Sequence, residues 1–137
     1  MNEKERLYRT AILKRSHTNI QLKYSILGKR IQMKNKAMNA LLEMGMPANF
    51  KGFRYIAEAM ELFEADEIWS MKISMLYYKL STMYNTTPSA VERSIRHAFS
   101  VVLTKGYLEV VEKYLTVQNT TNGNLLTVFF LRLSQEG

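Results

Sequence analysis

The sequence predicts an all-α protein built round a helix-turn-helix, and three observations point there. Apolar residues recur at helical spacing in successive segments, so that each segment lines one side of a helix. Gly45, Pro47 and Gly106 stand just past the ends of such segments, where glycine and proline stop a helix. Between them, residues 79–105 read KLSTMYNTTPSAVERSIRHAFSVVLTK: a helix end, a polar turn and a second, longer helix.

That second helix has a clear start. Asn85-Thr86-Thr87 supplies turn chemistry, and the Thr87 hydroxyl suits an N-cap because it can accept from a first-turn amide. Pro88 follows at the first helical position, where its missing N–H costs nothing. Val91, Ile95, Ala98 and Val102 then form one apolar stripe. Ser89, Arg93, Arg96 and Ser100 fall opposite it, with Glu92 and His97 on the flanks. A helix of this kind suits a major groove, since arginine can bond guanine in bidentate fashion and a carboxylate can accept from a cytosine amino group. Taken alone, the same pattern also describes a charged face that merely meets water.

Elsewhere the chain reads in order. Glu3 to Lys14 suits an amphipathic helix with Leu7, Ala11 and Ile12 on one face. Ile20, Leu22, Tyr24 and Ile26 alternate as in a strand, yet Ile20, Tyr24, Leu27 and Ile31 fit a helix equally well; the helical character of the rest favours helix. A helix follows over Lys34 to Met44, closed by Gly45. The next starts near Lys51 and buries Phe53, Ile56, Ala57, Met60 and Phe63. Asp66 and Glu67 make a short acidic connection. The first helix of the helix-turn-helix covers Trp69 to Tyr84, burying Ile73, Leu76, Tyr77, Leu80 and Tyr84. A short helix over Leu108 to Leu115 comes after Gly106. Thr116 to Asn124 is polar, and Asn122-Gly123 between Thr/Val-rich flanks is a hairpin signal.

With 137 residues, 47% of them hydrophobic, the chain suits one domain with an adequate core. It has no cysteine, which excludes disulfides and thiolate metal sites and fits a reducing compartment. No apolar run approaches a membrane span, and no signal peptide is visible, so the expected location is cytoplasmic. Charge is unevenly placed. Residues 1–37 hold ten Lys/Arg against two Glu, a net +8, while residues 38–137 hold nine against ten, a net −1. The basic character is therefore an N-terminal arm. It reads as a packing extension, as a strap on DNA phosphates or as a pairing element for another subunit. Catalysis has little to stand on. His17 and His97 are the only histidines, no HExxH or phosphate-binding glycine loop occurs, and Glu58, Glu61 and Glu64 read as the wet side of their helix. No enzyme, cofactor or metal is expected.

YNTTPSAVERSIRHAF, together with MGMPANFKGFRYIAEAM upstream, resembles the C-terminal effector domain of the stage-zero sporulation response regulator of spore-forming bacteria. The likeness runs from about Met38 to Leu133. It implies a six-helix, all-α effector domain without a wing over residues 34–137, behind a basic extension over residues 1–33. A last helix over Leu125 to Ser134 is implied against the hairpin signal. The implied partner is double-stranded DNA of TGTCGAA type, where two copies can occupy tandem boxes as a homodimer. Glu92, Arg93, Arg96 and His97 match the family's VERxIRHA recognition motif. Asn85, Thr86, Thr87 and Ser89 match its turn and helix start, where phosphate contacts are expected. Residues 106–114 correspond to the surface through which the family meets the RNA polymerase sigma subunit.

Three departures qualify the likeness. The family's phosphorylated receiver domain does not precede this effector region. Ala90 stands where the family carries a base-reading arginine, and Thr82 and Met83 stand where it tends to have two lysines. The leading expectation is a sequence-specific DNA-binding transcriptional regulator without the phospho-switch. The alternative is an interaction protein that keeps the fold but binds a polymerase subunit or a full-length regulator. Where the arm leaves the domain discriminates: beside the recognition helix it favours DNA, and on the far side it favours the interaction-protein alternative.

Overall fold

The computed structural model describes residues 2–136, with the side chains of residues 8, 10–20, 23, 27, 30 and 31 outside the described set. The described residues fold as helices α1 (Glu3–Met44), α2 (Lys51–Ala65), α3 (Ile68–Met71), α4 (Ile73–Met83), α5 (Pro88–Lys105), α6 (Leu108–Tyr114) and α7 (Asn122–Gln135), with no strand among them. The all-α expectation is met. One of the six expected helices is divided: the segment read as Trp69 to Tyr84 breaks at Lys72, whose φ of −129° and ψ of 86° leave the helical region. The Asp66 side chain accepts from the Ile68 N–H at 3.0 Å and starts a one-turn helix. None of its residues is fully buried and only Trp69 packs partly on the core, so packing holds it weakly in line with α4.

The arm and the first core helix are one element. Asn2 accepts from the Glu5 N–H at 2.8 Å, and Glu3 and Glu5 place negative charge at the positive end of the helix dipole. The alternation at Ile20 to Ile26 thus gives way to helix. The proposed faces through Ala11, Ile12, Ile20, Leu27 and Ile31 lie outside the described residues. Among the described residues, burial begins at Met33 and continues through Ala37, Ala40, Leu41 and Met44, a stripe at helical spacing. Gly45 ends α1 at φ 92°, a left-handed conformation that favours glycine. Its N–H reaches the carbonyls of Leu41 and Leu42, and the Met46 N–H bonds Leu41 O at 3.0 Å.

The chain then turns back, and α2 packs along α1 through Phe53, Ile56, Ala57 and Met60. Lys34 of α1 pairs with Glu58 of α2, which also accepts from the Tyr84 hydroxyl at 3.2 Å. That one carboxylate ties together α1, α2 and the end of α4. Leu76 and Leu80 of α4, Ile95 and Phe99 of α5, and Leu125, Leu126 and Phe129 of α7 complete a close-packed centre. Tyr114 meets Phe129 edge to face at 5.9 Å, which seats α6 on α7.

The hairpin signal at Asn122-Gly123 loses to helix capping. Thr121 accepts from the Asn124 N–H, and Asn122 and Gly123 lie in the first turn of α7, which therefore starts ahead of the expected Leu125. α2 and α7 both begin at α5. Gly52, in the first turn of α2, abuts the Ser94 backbone, and Asn122 bonds the Glu92 carbonyl. Their far ends, Glu64 and Glu136, line a groove with Lys29, Gln32, Met33 and Lys36, and Lys36 donates to the Glu136 carbonyl at 2.8 Å. At ~1.5 Å per residue, these helices separate α5 from the root of the arm by about 20 Å. No helix among the described residues is long and apolar enough to cross a membrane.

Candidate nucleic-acid interface

The turn between α4 and α5 is built from backbone geometry. Tyr84 N–H bonds Leu80 O at 3.0 Å and Thr86 N–H bonds Ser81 O at 2.9 Å, folding the chain back on α4. Between them Asn85 takes φ 52°, the left-handed region that asparagine tolerates better than most side chains. Thr87 then caps α5 by accepting from the Ala90 N–H at 3.1 Å, and Pro88 occupies the first turn. Asn85, Thr87 and Ser89 are exposed and Thr86 is half-buried. The start of α5 therefore presents hydroxyls and an amide, with the Ala90 and Val91 N–H groups already held by Thr87.

Beyond it α5 is strictly two-sided. Val91, Ile95, Ala98, Phe99 and Val102 are buried, whereas Arg93 and Arg96 are exposed. The Arg93 Nε donates to the Ser89 carbonyl at 3.4 Å, laying that side chain back along the helix. Arg96 pairs with Glu92 one turn earlier. Such an exposed pair contributes only ~0.3–0.5 kcal/mol, so a guanine edge or a phosphate can displace the carboxylate at little cost. His97 is exposed but turned toward α2: its ring lies 5.2 Å from that of Phe50, beside Lys51, Gly52 and Ser94. It therefore stands on the α2 flank of the helix, away from Ser89. Ala90 is half-buried, and Thr82 and Met83 are exposed on α4.

Sequence reasoning missed how the helix is held. Asn122, read as a turn residue, is 8% exposed. Its Nδ2 donates to the Glu92 carbonyl at 3.0 Å and to the Tyr77 hydroxyl at 3.1 Å, joining α7, α5 and α4 at one point. Its Oδ1 accepts no hydrogen bond. Burial raises the Tyr77 hydroxyl above the ordinary tyrosine value; the Asn122 amide opposes that, Glu92 adds to it, and Arg96 lowers it. Gly52 is the other hidden support. It lets α2 approach α5 to backbone contact, and the only sequence sign of it is a poor helix former inside the first turn.

α4, the turn and α5 thus form a helix-turn-helix whose second helix is apolar on its inner side and carries Ser, Arg and Glu outside. Residues 37–133 match the family model described as sporulation initiation factor Spo0A C terminal, and the chain belongs to that family. Its fold and its place among DNA-binding sporulation effectors follow from that membership.

Proposed function

We propose that the protein is a sequence-specific regulator of transcription that sets α5 into the major groove of double-stranded DNA in the cytoplasm. One observation carries the reading: Ser89, Arg93 and Arg96 stand outward on a helix whose other side is wholly buried, so only their side is offered to a ligand. The turn residues Asn85 to Thr87 then lie where a phosphate flanks the groove, and Glu92 and His97 border the reading side. Mobility shifts with a TGTCGAA-type duplex and a scrambled one, taken across salt, test this. Arg93→Ala and Arg96→Ala should each weaken specific binding by ~1–3 kcal/mol and leave the scrambled duplex nearly unaffected. If both variants hold the specific duplex as the unmodified protein does, α5 is not the reading element.

A second reading rests on α6. Tyr107 and Leu108 are 69% and 64% exposed, and with Glu43, Glu109 and Val110 they line an open groove. Exposed apolar side chains rimmed by carboxylates suit a basic, partly apolar protein surface such as a polymerase sigma subunit. Leu108→Ala would then reduce transcriptional activation without changing DNA affinity.

A further inference from the structure

The basic arm leaves the domain at the end opposite α5. Helices α2 and α7 start on α5, at Gly52 against Ser94 and at Asn122 against Glu92, and both end at the arm's root beside Lys29 and Lys36. From there α1 continues outward to Glu3 as unbroken helix. Every described side chain from Asn2 to Gln32 is exposed, Lys4, Arg9 and Lys29 among them. At ~1.5 Å per residue, the thirty residues ahead of Met33 reach about 45 Å. A helix continuing from that end carries its cations away from α5, although Lys34 at its root still reaches Glu58 and, through it, Tyr84.

What covers the arm follows from its charge. Two arms, each with eight Lys/Arg against two Glu ahead of Met33 (a net +6), repel, which disfavours a second copy laid along the first. A duplex presents one negative charge per ~1.7 Å of axis, and an arm of this length runs beside roughly thirteen base pairs. Phosphates also relieve the repulsion between like charges within the helix, so binding and helix formation reinforce each other. We propose that the arm is a second, sequence-independent site for duplex DNA, so that one molecule holds two duplex segments, one on α5 and one on the arm. The first of these contacts rests on the reading of α5; the second does not.

Capture tests this directly. A TGTCGAA-type duplex is fixed to beads, the full chain is added, and a labelled random duplex is offered in solution. The comparison protein carries Lys4→Gln, Arg9→Gln, Lys14→Gln, Arg15→Gln and Lys23→Gln, all ahead of Met33, the first buried residue among those described. The unmodified chain should capture the labelled duplex, and capture should fall steeply with salt, by a log–log slope of roughly 0.9 per phosphate contact. The five-fold variant should bind the fixed duplex alone within about threefold of the unmodified chain while capture drops at least tenfold. Sedimentation on the same samples gives the mass. Undiminished capture by the variant overturns the proposal, as does capture that tracks a doubled mass, because two recognition helices would then explain it. Binding of one duplex with no capture of a second, or selective retention of an acidic protein competitor over DNA, also overturns it. Loss of random-duplex binding in the arm variant but not in Arg93→Ala/Arg96→Ala supports the arm site even where α5 fails to read the chosen sequence.

Discussion

Replacing Gly52 with alanine tests how closely α2 must approach the recognition helix. A Cβ at this position would overlap the Ser94 carbonyl oxygen and stand 2.7 Å from Ala98 Cβ. Ordinary carbon contacts are ~3.5–4.0 Å, so the helices must part by about 1 Å. Neither obstacle can turn aside, because one is main chain and the other is a Cβ. Overpacking of this kind costs ~1–3 kcal/mol. Alanine's better helix propensity returns up to ~1 kcal/mol, less in a first turn. The net loss is then ~1–2 kcal/mol, which at about 4 °C per kcal/mol lowers Tm by roughly 4–8 °C. The same displacement moves Arg93 and Arg96 relative to the turn, so discrimination between specific and scrambled duplex should fall more than affinity for the scrambled one. Calorimetry and mobility shifts on one preparation report both. A Tm equal to or above that of the unmodified protein would refute the tight-contact argument.

Three further outcomes are expected. Tyr84 is pushed up to about 12 by burial and by the Glu58 carboxylate, from an ordinary 10.0. Its stabilising contribution is therefore complete below pH 10 and is lost as pH rises through 12. Tyr84→Phe should be less stable than the unmodified protein by ~1 kcal/mol near neutrality, and the gap should close across that alkaline window in urea titrations; a gap that stays constant contradicts the linkage. Asn122→Ala leaves the Glu92 carbonyl and the Tyr77 hydroxyl without their donor, at ~1–3 kcal/mol, and the orphaned Oδ1 it removes puts the loss at the lower end. Because the Asn122 amide lowers the Tyr77 pKa, the variant's tyrosinate absorbance should appear at higher pH, and an unmoved titration would count against this clasp. Ala90→Arg should sharpen discrimination by ~1–3 kcal/mol at one operator position, read by selection from randomised duplexes; identical preferred sequences before and after would dismiss it.

The helix-turn-helix was legible because its markers are local. Thr87, Pro88 and the Val91–Ile95–Ala98–Val102 stripe fix the start and the inner side of α5 without reference to the rest of the chain. The cap at Gly45 and the α2 stripe were readable for the same reason. Lys72 was not, since nothing in its identity marks a break; the break comes from a neighbouring turn closed by Asp66 and from α3 having only Trp69 to set, partly, against the core. Asn122-Gly123 carried a true turn propensity that a threonine cap and tertiary bonds to Tyr77 and Glu92 redirected into a helix start. Resemblance supplied that helix where propensity pointed to strand. Both supports of the recognition helix, Gly52 and Asn122, act across 30 residues or more of sequence, beyond the reach of periodicity.

The absence of any joint between arm and core fixes a compass bearing. Because Glu3–Met44 is one helix, residues ahead of Met33 keep a set rotational phase against the buried stripe that follows. Each residue added or removed near position 31 swings everything upstream by ~100° and shifts it by ~1.5 Å. One inserted residue would aim the arm's cations at a different quarter of space, while four would return them to within about 40° of their heading. Related chains that carry such an arm would then be expected to vary its length in steps near whole turns, as gear teeth must, while its uncharged positions drift freely.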